Sequence, residues 1–236
     1  MRVIVGTSGY SYKEWKGTFY PDDLPAAKML PFYASRFGTV EINNTFYRMP
    51  DEELVTKWAS EVPEGFTFVL KAPQWITHRK ELAPNDVRRF FEIASALGPK
   101  LGPALFRFPP RKEMNRLRDF LGAVPRERRV CVEFRHESWM DEEVFAALRE
   151  HDAALCAADT DEVADPDKIL VATASWGYLR LRRTEYSDEQ LAAWTRRVGE
   201  QQWSDAYVFF KHEDEGKGPL FAKRFIGLLP SGNDSH

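Results

Sequence analysis

The stretch Val130-Cys131-Val132-Glu133-Phe134-Arg135-His136-Glu137-Ser138-Trp139 decides how this chain is read. It opens as a strand and closes in a charged cluster. Side chains alternate along a strand, so Val130, Val132 and Phe134 share one face, and Cys131, Glu133 and Arg135 share the other. A charged inner face on so apolar a strand calls for an explanation elsewhere in the chain.

Working outward, the same strand-then-helix unit recurs. Strands are predicted at Val3–Val5, Thr39–Asn43, Phe66–Lys71, Ala104–Phe108, in the quoted stretch, and at Ala154–Ala158, Tyr178–Arg182 and Tyr207–Phe210. Helices are predicted at Met29–Phe37, Asp51–Val62, Asn85–Leu97, Lys112–Leu121, Asp141–Glu150, Asp188–Val198 behind an N-capping Ser187, and Pro219–Leu229. The segment after the sixth strand is short and broken by proline, so the sixth crossover is expected to be abbreviated. Strands and helices alternating in units of roughly 30 residues predict an α/β fold, a single TIM-type (β/α)8 barrel over residues 1–230. An open doubly wound sheet is the rival, but the glycine-rich phosphate turn of its dinucleotide-binding type is missing. Ser11–Pro25, with Trp15, Phe19 and Tyr20, reads as a long ordered loop packed by its aromatics. Residues 231–236 read as a disordered tail.

With 43% hydrophobic residues among 236, the chain has ample material for one large core. A net charge of −3 supplies no global basic field for nucleic acid, so any such attraction must be local. No apolar run approaches the roughly 20 residues of a membrane span. The apolar run in MRVIVGTSGY is too short for a signal peptide and reads as the first strand. Cys131 and Cys156 are expected to face different layers, so no disulfide is predicted and a cytoplasmic location is expected.

Five motifs occur in one order: Gly6-Thr7-Ser8-Gly9-Tyr10, Glu41-Ile42-Asn43-Asn44-Thr45-Phe46-Tyr47-Arg48, Ile76-Thr77-His78, Phe108-Pro109-Pro110 and Glu133-Phe134-Arg135-His136-Glu137-Ser138-Trp139. Together they resemble domain of unknown function 72, the YecE-like family. The resemblance runs from Val3 to the last helix and implies a TIM-type barrel of unassigned activity. Three strand ends depart from the family's usual pattern. Arg180-Leu181-Arg182-Arg183 stands where Arg-Leu-His-Gly is usual, Phe210-Lys211-His212 replaces Phe-Asn-Asn, and Arg107-Phe108 replaces Gln-Leu before the two prolines. These departures add positive charge near the strand ends.

Independently of any family, strand parity places Glu41, Asn43, Lys71, Arg107, Glu133, Arg135, Asp159, Arg180, Arg182 and Lys211 on inner faces near the C-terminal strand ends, where barrel sites sit. Six of these are cations and three are carboxylates, although the whole chain is negative. Buried carboxylates need partners, and the surplus cations must meet water or an anion. Guanidinium groups grip phosphate or carboxylate through paired hydrogen bonds. Arg135, Arg180 and Arg182 are therefore read as a clamp for an anionic ligand, with Lys71, Arg107, Lys211, Glu41 and Asn43 around it. Tyr10, Tyr47 and Trp139 follow strand ends and are candidates to stack on a ring of the ligand. Glu133, Asp159 and His136 are the candidate catalytic groups, and His78 and His212 also follow strand ends. No zinc-type spacing occurs and the cations would repel a divalent ion, so no metal and no cofactor are expected. The expected ligand is a small phosphate-bearing molecule, a sugar phosphate or nucleotide, with hydrolase or lyase chemistry. The alternative is a non-catalytic module that grips nucleic acid by its phosphates. A purely structural ion network is the bland reading of the same residues.

Overall fold

The alternation in the quoted stretch is realised on β5 (Val130–Glu133). Val130, Val132 and Phe134 join the apolar layer beneath the helices, while Cys131 joins the interior cluster and Glu133 is fully buried above it. The computed structural model describes residues 1–211 and 216–230. Seven further strands complete the sheet: β1 (Arg2–Ser8), β2 (Thr39–Ile42), β3 (Thr67–Lys71), β4 (Leu101–Arg107), β6 (Ala154–Asp159), β7 (Gly177–Leu181) and β8 (Asp205–Phe210). All pair in parallel in sequence order, and β8 closes on β1 through the register Val5 to Val208 and Thr7 to Phe210. The pairing of β8 with β1 closes the parallel strands into a ring with the helices outside, which is the TIM-type barrel predicted and excludes the open doubly wound sheet.

The helices are α1 (Met29–Ala34), α2 (Glu52–Ser60), α3 (Gln74–His78), α4 (Pro84–Ala94), α5 (Met114–Ala123), α6 (Glu142–Glu150), α7 (Asp188–Gly199) and α8 (Lys217–Gly227). Three of their starts, those of α2, α6 and α7, are set by side-chain caps. Asp51 accepts from Leu54 N at 2.8 Å, Asp141 accepts from Val144 N at 3.1 Å, and Ser187 with Gln190 forms a reciprocal capping box. The sixth crossover is indeed abbreviated, with one 3₁₀ turn at Pro166–Lys168 between β6 and β7. The first helix ends at Ala34 rather than Phe37, and the connection between β3 and β4 also departs from expectation. The β3–β4 connection carries an extra short helix, α3, because Pro73 redirects the chain into a helical turn. The following helix ends at Ala94 rather than Leu97, since Gly98 at φ 58° and Pro99 cannot continue it.

The interior is a second, separate core inside the ring. Val69, Leu105, Cys131, Cys156, Tyr178 and Tyr207 fill it. Cys131 and Cys156 are free but share this layer, contrary to the expectation of different layers, and their thiols are hydrogen-bonded. Burial drives the Cys131 thiol far above its ordinary range. On β6 the apolar-outward rule failed because Ala157 and Ala158 give no contrast between the two faces. Along β7 and its flanks, the inward positions rise from Trp176 to Tyr178, Arg180 and Arg182, from apolar to charged. The barrel therefore closes below on aromatic rings and above on ions. Ser231–His236, read as a disordered tail, and His212 lie outside the described residues.

Candidate functional site

Arg180 is the centre of the charged layer. It is 1% exposed, yet its guanidinium reaches two strands across the barrel. Nη1 donates to both oxygens of Glu133 at 3.1 Å, and Nη2 donates to Glu41 Oε1 at 2.9 Å and Asn43 Oδ1 at 3.3 Å. Glu41 is completed by the Tyr178 hydroxyl at 2.6 Å and the Asn43 amide at 3.0 Å. A buried ion pair survives only when its remaining lone pairs are satisfied, and these two carboxylates meet that condition.

Glu133 has more partners than it needs. Besides Arg180, Lys71 Nζ lies 3.9 Å from Oε2, and Arg135 Nε and Arg182 Nη1 lie 3.4 and 3.5 Å from Oε1. Burial pushes the Glu133 carboxyl up, but Arg180, Lys71, Arg135 and Arg182 overcome this and hold it at about 2. Burial likewise opposes ionisation of Glu41, and Arg180 and Lys71 outweigh it and hold that carboxyl below its ordinary value. Burial, reinforced by Arg180, lowers the Lys71 amine to about 8 against the pull of Glu133 and Glu41. Phe46 forms a platform beneath two cations, with Lys71 Nζ 4.4 Å and the Arg107 guanidinium 4.5 Å from its ring centre.

Above Glu133 a cleft of about 590 Å³ opens to solvent, lined among others by Arg135, His136, Met140, Asp161 and Arg182. The Nε of Arg182 and that of Arg180 are buried without a hydrogen-bond partner. Among the described residues no three His, Cys, Asp or Glu side chains gather as a metal site would require. Nor is any helix among them long and apolar enough to cross a membrane.

The family described as "Protein of unknown function DUF72" matches residues 4–235. The chain belongs to the DUF72 family. YunF of Bacillus subtilis is 24% identical over 96% of this chain and 94% of its own length. YecE of Escherichia coli is 34% identical over 139 residues, 57% of this chain and 48% of that protein. A DUF72 family protein of Thermotoga maritima superposes with a TM-score of 0.84 at 26% identity, covering 97% of this chain and 99% of that one.

Within this DUF72 barrel the predicted site residues divide. Glu41, Asn43, Lys71, Glu133, Arg135, Arg180 and Arg182 come together as one network. Arg107 joins them through Phe46. The backbone N of Lys211 donates to Leu181 O at 3.0 Å, and alternation with inward Phe209 puts Lys211 on the inner side of the strand end. His136 is exposed on the rim, and its Nδ1 accepts from Ser138 N at 3.1 Å. Half-buried His78 lies at the end of α3, with Nδ1 3.0 Å from Gln74 O, and burial and Arg107 lower its pKa. Tyr47 is 82% exposed.

Asp159 is not in the mouth. Its cross-strand partner is Leu181, which faces the helices, so Asp159 faces them too. There it accepts from Arg183 Nε at 2.8 Å, Tyr186 OH at 2.9 Å and Trp194 Nε1 at 3.0 Å, which ties α7 to the barrel. Arg183 is thereby paired outside the mouth and adds no charge to it. Trp139 is also misplaced as a ligand contact. It is fully buried, stacked on Phe134 at 4.3 Å, and its indole donates to Pro109 O at 3.0 Å. Tyr10 turns back toward α1 and α2, near Tyr33 and hydrogen-bonded to the Trp58 indole. Both rings follow strand ends in sequence, but their backbones bend away from the barrel axis.

Sequence reading missed Tyr178 and Phe46 as parts of the site. Tyr178 was detectable, because it is two residues before Arg180 on the same face. Phe46 lies in a 3₁₀ turn, Asn44–Phe46, where strand parity carries no information.

Proposed function

We propose that the mouth of this DUF72 barrel binds a small anionic ligand bearing a phosphate or carboxylate, above Glu133. One observation carries this reading: four cations converge on the single carboxylate of Glu133, and one of them, Arg182, has its Nε buried without a partner. With Asp159 outside the mouth, Lys71, Arg107, Arg135, Arg180, Arg182 and Lys211 stand against Glu41 and Glu133 at the strand ends, while Glu137, Asp161 and Glu162 also line the cleft. An anion oxygen in the cleft would satisfy the orphaned donor and the surplus charge together. The cleft volume falls within the roughly 300–1,000 Å³ typical of small-molecule sites.

As an enzyme the site would work by charge stabilisation rather than through a carboxylate base. Glu133 stays ionised and is held by its four partners, which makes it an anchor for arginines and a weak proton acceptor. Of the three catalytic candidates, His136 on the cleft rim remains free to serve as acid or base.

The test is thermal unfolding with sulfate, inorganic phosphate, sugar phosphates, nucleotides and short nucleic-acid strands at low and moderate salt. A ligand that prefers the native state raises Tm by mass action. A rise with a small anion that is lost in Arg135→Ala and Arg182→Ala supports the reading. No rise with any anion overturns it. A rise only with strands, erased by salt, would favour a nucleic-acid module, to which the exposed Tyr47 ring would offer a stacking surface.

A further inference from the structure

We propose that Lys71 is a covalent nucleophile, forming a Schiff base with a small oxo compound whose anionic end is held by Arg135 and Arg182. This rests on the anion-binding reading above and narrows its ligand to phosphorylated or carboxylated aldehydes and ketones.

Position comes first. Lys71 is the last residue of β3, at the strand end where barrel chemistry sits. It is 6% exposed, held between the Phe46 ring at 4.4 Å and Glu133 Oε2 at 3.9 Å. The charged groups facing it are Glu133, Glu41, Arg180 and Arg135, with Arg107 sharing its Phe46 ring. The same Glu133 carboxylate meets Arg135 and Arg182, which line the cleft. An amine and two guanidinium groups therefore converge on one carboxylate, Lys71 at Oε2 and Arg135 and Arg182 at Oε1 on the side of the cleft. A carbonyl and an anionic group separated by a short carbon chain would reach both.

The second ground is reactivity. A lysine is a poor nucleophile while protonated, and proteins free its lone pair by burial and by neighbouring cations. Both act on Lys71, whose amine is brought to about 8, so a substantial fraction is neutral in mildly alkaline solution. The guanidinium groups of Arg135 and Arg182 delocalise their nitrogen lone pairs and so do not compete with an amine as nucleophiles.

The step balances without any further reactant. The neutral Nζ adds its lone pair to the carbonyl carbon, and the carbonyl oxygen takes a proton from solvent. The carbinolamine takes up one more proton and loses water, while the amine nitrogen has given one proton back. The net change is amine, carbonyl and one proton to iminium and water. The iminium carries the same positive charge as the ammonium it replaces. Glu133 therefore keeps its partner, and the network of Glu41, Arg180 and Glu133 does not have to rearrange.

The test is reductive trapping with sodium cyanoborohydride, followed by peptide mass spectrometry. The probes are dihydroxyacetone phosphate, pyruvate, neutral dihydroxyacetone and formaldehyde. The expected result is labelling of Lys71 by an anionic probe at least tenfold faster than exposed Lys13 or Lys80, with a rate rising through pH 8 and slowed by inorganic phosphate. Lys71→Arg, with circular dichroism unchanged, should remove that adduct alone. If formaldehyde and neutral dihydroxyacetone label Lys71 quickly and the anionic probes do not, the substrate class and the anion-binding reading both fail. If no probe labels Lys71 faster than Lys13, while phosphate still raises Tm, the nucleophile is overturned and the anion site stands.

Discussion

Replacing Arg180 by methionine removes one guanidinium and nothing else of comparable volume. Its consequences can be followed atom by atom. Glu133 loses the two bonds at 3.1 Å but keeps Lys71, Arg135 and Arg182 within 3.9 Å. Glu41 loses its bond at 2.9 Å and keeps only neutral hydrogen-bond donors, the Tyr178 hydroxyl and the Asn43 amide, with Lys71 as its remaining and weaker counter-charge. The damage therefore concentrates on Glu41, a fully buried carboxylate with its main counter-charge gone. Breaking a buried ion pair from one side costs about 3–5 kcal/mol. For a chain of this size that corresponds to a fall in Tm of roughly 6–20 °C. Glu41 can escape part of the penalty by taking up a proton. Its folded-state pKa in Arg180→Met then lies above the unfolded value, so stability should rise as pH falls from 8 toward 5.5. Urea unfolding of Arg180→Met and of Glu41→Gln/Arg180→Met at both pH values tests this. The double variant should be more stable than the single at pH 8, and nearly independent of pH in that window. A single variant that loses less than about 1 kcal/mol, or a double variant no better than the single at pH 8, would refute the assignment of Arg180 as the hub of the layer.

Three further outcomes are expected. Glu133 is held at about 2 against an ordinary 4.5, so its pairing stabilises the fold above about pH 4.5 and is lost as pH falls toward 2; acid titration by circular dichroism should show a slope worth on the order of 3 kcal/mol that Glu133→Gln lacks. Asp159→Asn should cost about 1.5–3 kcal/mol in urea unfolding by loosening α7, while phosphate affinity of the folded protein is unchanged. Trp139→Ala should cost about 3–5 kcal/mol as a core truncation, again without altering phosphate affinity, whereas a ligand-stacking tryptophan would show the reverse pattern.

The barrel was legible because most strands carry a clear polarity. On β5 the valines and Glu133 leave no doubt about which face is which, and on β7 Leu179 and Leu181 oppose Tyr178 and Arg180. Where contrast fades, parity reading fails. Cys156, Ala157 and Ala158 pack equally well on either side, so the only polar mark on β6, Asp159, was assigned inward. It instead satisfies Arg183, Tyr186 and Trp194, partners that come from a loop and a helix more than 20 residues away. Tyr10 and Trp139 show a second limit. Adjacency to a strand end fixes where a residue starts but not the direction in which its loop turns. The charges of the mouth were legible as a set. Their convergence on Glu133 was not, because it depends on three strands, β3, β5 and β7, meeting across the ring.

The Arg180 layer also sets a depth. Glu41, Arg180 and Glu133 span the lumen from β2 through β7 to β5, with Tyr178 and the aromatic rings filling the space beneath. They form a floor that no ligand can pass without breaking an ion pair. On the proposed reading, a small anionic ligand would be received above this floor, in the cleft beside Glu133. Selection among ligands would then belong to the loops and side chains standing above the floor, such as Tyr47, His136 and Met140. Exchanging rim residues should thus change what is bound without disturbing what holds the barrel together.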